Sequence, residues 1–217
     1  MKLLDSGNSG QLCCGLELTN IDKEWLIVFK GGEPGFKMNF IPTKIPDVIR
    51  IEPDVYHEPR GFFLETYHER KYREGGIRET FVQDNHSCSV KGVLRGLHMQ
   101  AHHPQGKLVW ALEGEVWDVA VDLRRDSETF KQWVSERLSA ENHHQLYIPP
   151  GFAHGFCALT EQAQFCYKCT DYYNPADELT LLWSDPELGI EWPLDDPLLS
   201  AKDQAGLPLE EILKRLP

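Results

Sequence analysis

Arg95, His98 and Lys107 stand in strand-like sequence over residues 91–123, a stretch that also carries Asp118. Imidazole changes its charge near neutrality, and a lysine held away from water is a strong local cation whose pKa shifts readily. From Leu108 the residues alternate, reach Glu113-Gly114, and alternate again. That pattern predicts an antiparallel hairpin with a short glycine-containing turn. With a two-residue loop, Leu112 would face Glu115, Trp110 would face Trp117 and Leu108 would face Val119. One face then carries Leu108, Trp110, Trp117, Val119, Val121 and Leu123, the other Lys107, Val109, Ala111, Val116, Asp118 and Ala120. A lysine and an aspartate on a small apolar face point to the inside of an open barrel.

A second chemistry-bearing stretch is Tyr147-Ile148-Pro149-Pro150-Gly151-Phe152-Ala153-His154-Gly155-Phe156. It has the Pro-x-Gly-x-x-His spacing of the second cupin motif, whose sharp turn lets the histidine re-enter a sheet pointing inward. In metal cupins that histidine is a ligand beside two histidines and a glutamate. Here the position of the glutamate is Lys107, and a protonated lysine repels a divalent cation. Gln100 is a poor ligand, and His102 and His103 are adjacent, so on a strand they would point to opposite faces. A metal site is disfavoured. Cys166-Tyr167-Lys168-Cys169 lacks a second pair for zinc, since Cys13-Cys14 does not supply one. Alternation places its two cysteines on opposite faces and leaves Tyr167 beside Phe165.

The 217 residues suffice for one domain with a sizeable core. A net charge of −12 argues against general nucleic-acid binding, which needs clustered cations. It leaves room for one phosphorylated ligand held by a few local cations. The longest early apolar run, Trp25–Phe29, is too short for a signal peptide or membrane span. The first 37 residues contain no arginine, against a transit peptide. The six cysteines form no secreted framework, and a cytoplasmic location with reduced thiols is expected. Residues 1–37 read as an extension, poorly structured or created by a mis-assigned start with Met38 as the true first residue. Residues 38–217 read as the functional domain.

Candidate strands over 47–52, 61–67, 80–84, 93–99, 107–112, 115–123, 132–138, 145–149, 155–160, 163–170 and 178–184 are separated by turn signals, with short helices near 67–74 and 209–216. The expected class is all-β, a cupin-type jelly-roll β-barrel with a few short helices.

Ten motifs in order then resemble the dTDP-4-dehydrorhamnose 3,5-epimerase family across residues 39–204. They are Arg60-Gly61-Phe62-Phe63-x-Glu65, Gln83-Asp84-Asn85-His86-Ser87, Arg95-Gly96-Leu97-His98-x-Gln100, Gln105-Gly106-Lys107-Leu108-Val109, Gly114-Glu115-Val116-x-Asp118 with its continuation to Arg124, Leu138-Ser139-Ala140-Glu141-Asn142, the loop 149–156, Thr170-Asp171-Tyr172-Tyr173, Gly189-Ile190-Glu191-Trp192-Pro193 and Leu199-Ser200-Ala201-Lys202-Asp203. The resemblance implies epimerisation at C3 and C5 of dTDP-4-dehydro-6-deoxy-glucose by a homodimer, with no metal or redox cofactor. It implies His98 as base, Asp203 as the carboxylate orienting it, Tyr167 as acid on the opposite face, and Lys107 as a stabiliser of the oxyanion. Arg95 and His154 match sugar-site residues. Arg60, Glu65, Gln83 and Asn85 match nucleotide-diphosphate contacts, Tyr173 matches the aromatic that stacks on thymine, and Glu178 and Lys202 match further binding positions. Met99 stands where the family has an aromatic, and Trp110 where arginine is common. Met99 would point away from His98's face, and Trp110 reads as sheet or interface surface. The competing readings are a 3-epimerase of a related dTDP-sugar, a metal-dependent cupin oxygenase, and a sugar-nucleotide binding protein without catalysis.

Overall fold

The period-2 patterning resolves into strands that pass back and forth between two facing antiparallel sheets. The computed structural model describes residues 37–217 and, before them, only the backbone of the strands β1 (Gln11–Leu12), β2 (Leu16–Ile21) and β3 (Glu24–Phe29). These three pair antiparallel with one another in the order β1-β2-β3. The chain divides into two units, Met1–Lys37 and Met38–Pro217. The early apolar run Trp25–Phe29 lies within β3, while the expectations for residues 1–37 as an extension, and those for Cys13 and Cys14, lie outside the described residues.

The second unit contains β4 (Met38–Pro42), β5 (Ile49–Pro53), the hairpin β6 (Tyr56–Glu58) and β7 (Gly61–Phe63), and helix α1 (Glu69–Glu74). There follow β8 (Gln83–Val90), β9 (Leu94–Gln100), β10 (Lys107–Glu113), β11 (Glu115–Asp122), β12 (Trp133–Ser139), β13 (Gln145–Ile148), β14 (Phe152–Ala158), β15 (Gln162–Cys169) and β16 (Glu178–Thr180). Helices α2 (Ala201–Gln204) and α3 (Leu209–Arg215) end the chain. One sheet has the order β4-β5-β13-β10-β15-β8, the other β12-β11-β14-β9-β16. Within these, β13-β10-β15-β8 facing β12-β11-β14-β9 is a jelly roll, the expected class. The sheets face each other without closing into one continuous hydrogen-bonded barrel.

The expected hairpin of residues 107–122 does not form. β10 pairs with β13 and β15, while β11 pairs with β12 and β14 in the other sheet. Gly114, at φ +70°, is a corner that carries the chain between sheets. Trp110 therefore stands opposite Gln145 and Cys166 rather than Trp117. The division into faces survives, because alternation does not depend on the pairing partner. Val109, Val116 and Ala120 are buried between the sheets with Leu146, Phe156 and Phe165. Val119, Val121 and Leu123 pack outside the five-stranded sheet with Met99, Leu209 and Ile212, and Trp117 lies against Trp133 and Trp192 there. Leu108 and Trp110 pack outside the six-stranded sheet with Tyr72 of α1 and Tyr147. Each fully buried aliphatic side chain in these layers contributes roughly 1.5–3 kcal/mol. Beyond this apolar inner layer the two sheets enclose a cavity lined by both polar and apolar side chains.

Candidate active site

The cavity has a volume of about 550 Å³ and opens between β8, β10 and β15 on one wall and β9, β14 and β16 on the other, with α2 at its edge. That size suits a small-molecule ligand. It brings together His98, Lys107, His154, Tyr167, Asp203, Arg95, Gln83, Asn85, Tyr173, Glu178 and Lys202.

His98 comes from β9, whose path is set by two glycines. A Cβ on Gly96 would stand 2.5 Å from the Gly155 Cα, and one on Gly155 would stand 2.7 Å from the Arg95 carbonyl oxygen. Only glycine at both positions lets β9 and β14 approach this closely, and the pairing then sets His98 directly beside His154. The His98 Nε2 lies 2.6 Å from Asp203 Oδ1. Asp203 sits in α2, where Ser200 caps the helix by accepting the Asp203 N–H and donates its hydroxyl to Asp203 Oδ2 at 2.7 Å. Burial pushes the Asp203 carboxyl up, but hydrogen bonds from His98 and Ser200 outweigh it and hold the group below its ordinary value. An ionised carboxylate only accepts, so Nε2 carries a proton, and in the neutral ring Nδ1 is the basic nitrogen.

His154 forms a second imidazole–carboxylate pair, its Nε2 2.8 Å from the Oδ2 of the fully buried Asp118. Burial pushes Asp118 up, against the pull of His154 and Lys107. Asp118 is thus bonded to His154 rather than salt-bridged to Lys107, whose ammonium donates to Gln105 Oε1 at 3.3 Å. Burial pushes the Lys107 ammonium down, while Cys169, Glu178 and Asp118 pull it back up. Tyr167 faces inward from β15, across from Asn85 of β8. Burial raises its phenol, which is therefore protonated at neutral pH.

At the rim, Glu178 joins three segments. It accepts from the Tyr173 hydroxyl at 3.0 Å and pairs with Lys202 Nζ at 2.8 Å. Arg95 donates to Ser89 Oγ at 3.0 Å and to the Cys88 carbonyl. Arg60 and Glu65 do not join the cavity. Arg60 is 81% exposed at the β6–β7 turn and pairs with Glu58, and Glu65 pairs with Lys71 at 2.6 Å. Among the described residues, no three His, Cys, Asp or Glu side chains are grouped to hold a metal ion. No helix among them is long and apolar enough to cross a membrane.

The family model for dTDP-4-dehydrorhamnose 3,5-epimerase matches residues 42–211. The chain belongs to this family. The epimerase of that name from Pseudomonas aeruginosa is 60% identical over 164 residues, 75% of this chain and 91% of the relative. A solved structure of a dTDP-6-deoxy-D-glucose-3,5-epimerase from Legionella pneumophila, in complex with dTDP-4-keto-L-rhamnose, superposes with a TM-score of 0.81 at 52% identity, covering 83% of this chain and 98% of that one. A dTDP-4-dehydrorhamnose 3-epimerase from Streptomyces niveus is 41% identical, covering 80% of this chain and 85% of the relative. Ser200 and Cys169 are among the cavity residues of this epimerase that were not singled out from its sequence. Ser200 carried a legible signal, a serine three residues before an aspartate at a helix start. Cys169 carried one too, since alternation put it on Tyr167's face.

Proposed function

We propose that this chain inverts C3 and C5 of dTDP-4-dehydro-6-deoxy-D-glucose, giving dTDP-4-dehydro-L-rhamnose by proton abstraction and reprotonation. The observation that carries the reading is the division of labour between walls. His98, with Nδ1 free, belongs to the five-stranded sheet, and the protonated Tyr167 belongs to the six-stranded sheet facing it. The keto-sugar lying between them loses a carbon-bound proton to His98 on one side, and the flat enolate so formed is protonated by Tyr167 from the other, which is inversion. The C4 ketone acidifies the hydrogens on both neighbouring carbons, so the chemistry needs no metal or redox cofactor. Lys107, on the same wall as Tyr167, stabilises the charge that develops on the C4 oxygen. Arg95 and His154 hold the sugar. Gln83 and Asn85 hold the nucleotide diphosphate, Tyr173 stacks on its base, and Glu178 and Lys202 are further binding positions.

The reading extends to a homodimer in which residues 38–217 form the catalytic domain. Arg60 and Glu65 match nucleotide contacts yet lie outside their own cavity, on and beside a hairpin that exposes Phe62 and Phe63. A second copy receiving that hairpin would obtain both groups. A cytoplasmic location goes with the free thiols of Cys88, Cys157, Cys166 and Cys169.

The test is proton NMR of the protein with the dTDP-4-keto substrate in heavy water. Wild type takes up deuterium at C3 and C5, and His98→Ala takes up none while keeping its fold. Unimpaired exchange in the variant would overturn His98 as base. The 3-epimerase reading, which the likeness to the Streptomyces niveus protein keeps in play, predicts exchange at C3 alone.

A further inference from the structure

A directed hydrogen-bond chain runs along the inner face of β8. It starts at the backbone N–H of Tyr173, which donates to Gln83 Oε1 at 2.9 Å. A backbone N–H can only donate, so this contact fixes which end of the Gln83 amide is oxygen. The Gln83 Nε2 then points along the strand and donates to Asn85 Oδ1 at 3.1 Å. That fixes Asn85 in turn, and its Nδ2 donates to the sulfur of Cys169 at 3.7 Å. The starting point is held firmly. The Asn174 N–H donates to Gln100 Oε1 at 2.5 Å, and Gln105 Nε2 donates to the Asp171 carbonyl at 2.8 Å, so the loop carrying Tyr173 is tied down on both sides. The end point is also held. Cys169 is 1% exposed, lies directly opposite Gln83 in the β8–β15 register, and lines the cavity.

We propose that this chain sets the polarity of the nucleotide-binding wall, and that Cys169 is a positioning residue acting through Asn85. Each amide group uses one N–H within the chain and keeps one for a ligand. With the direction fixed, both remaining N–H groups serve acceptors, as the oxygens of a nucleoside diphosphate are. The sulfur is the terminal acceptor; without it the Asn85 amide keeps the direction set by Gln83 but loses the contact that holds its Nδ2, so the N–H it offers a ligand is less firmly aimed. This deepens the proposed function and rests on its assignment of Gln83 and Asn85 to the dTDP group.

The experiment measures dTDP affinity by calorimetry, and KM and kcat for the keto-sugar, in wild type, Cys169→Ala, Cys169→Ser, Asn85→Ala and the Asn85→Ala/Cys169→Ala double variant, with near-ultraviolet dichroism confirming each fold. Loss of one modest hydrogen bond predicts that Cys169→Ala weakens dTDP binding and raises KM by about three- to tenfold, with kcat within about twofold. Cys169→Ser, which keeps an acceptor, restores most of the affinity. In the Asn85→Ala background Cys169→Ala has no further effect. Cys169→Ala with wild-type affinity, a fall in kcat rather than a rise in KM, or full additivity with Asn85→Ala would overturn the assignment of Cys169. If Asn85→Ala itself binds dTDP as wild type does, the assignment of the nucleotide wall falls and takes the role of Cys169 with it.

Discussion

The His98 ring and the Asp203 carboxylate meet at 2.6 Å although 105 positions separate them in the chain. The carboxylate is 3% exposed as a residue, capped in α2 by Ser200, and held ionised by the two hydrogen bonds it accepts. In the proposed mechanism it fixes the proton on Nε2, leaves Nδ1 of the neutral ring to act as base, and stabilises the imidazolium once that base has taken a proton.

Asp203→Asn keeps the shape of this pair but can donate its amide N–H to Nε2, which forces the proton onto Nδ1 and removes the base. Deuterium uptake is expected to fall by about 10²- to 10⁴-fold, the span of general-base contributions, with KM little changed. Single-turnover exchange followed by NMR checks this, and an asparagine variant within about threefold of wild type would sink the tautomer argument.

Tyr167→Phe separates abstraction from inversion. His98 remains able to remove a proton and return a solvent-derived one to the same side, so deuterium should still enter. Protonation from the opposite wall is lost, so inversion should slow by about 10²- to 10⁴-fold. Recording exchange and product configuration in one sample distinguishes the two; equal loss of both would reassign Tyr167.

Acid stability should depend on a carboxylate remote from the chemistry. Burial pushes Asp122 up, but hydrogen bonds from the Arg124 guanidinium, Ser127, Thr129 and the Arg124 N–H bring it down to about 2. A carboxyl lowered on folding contributes stability that is full above its unfolded value and is lost as pH falls through the folded one. The window is therefore roughly pH 4 down to pH 2, and the contribution is on the order of 2 kcal/mol. Asp122→Asn should unfold more readily at pH 7 and lose less further stability on acidification through that window. Urea denaturation at pH 7 and pH 3 measures both, and an unchanged pH dependence would count against Asp122.

What the sequence by itself determined was the set of chemical groups and the side of the strand each occupies. Lys107 points inward from one sheet and Asp118 and Val116 from the other, and Tyr167 shares a face with Phe165, because strand side chains alternate whatever the strand is bonded to. The ordered motifs placed the chain in its family, and the spacing of strands and turns pointed to the jelly roll. Which strands pair was decided only in three dimensions. A glycine such as Gly114 serves a tight hairpin and a sheet-to-sheet corner equally well, so nothing local separates β10 paired with β11 from β10 paired with β13 and β15. The same holds for Trp110 and Trp117, which alternation put on one face and which two sheets carry to opposite outer surfaces. Arg60 and Glu65 carry the right motif yet sit outside the cavity, because a motif records residue types and not the position of the hairpin that bears them. His98, Asp203 and Tyr167 were each legible as residue types. The roles proposed for them, a base, its carboxylate and an acid on facing walls, depend on contacts between distant segments, fixed by how the two sheets pack and where α2 docks.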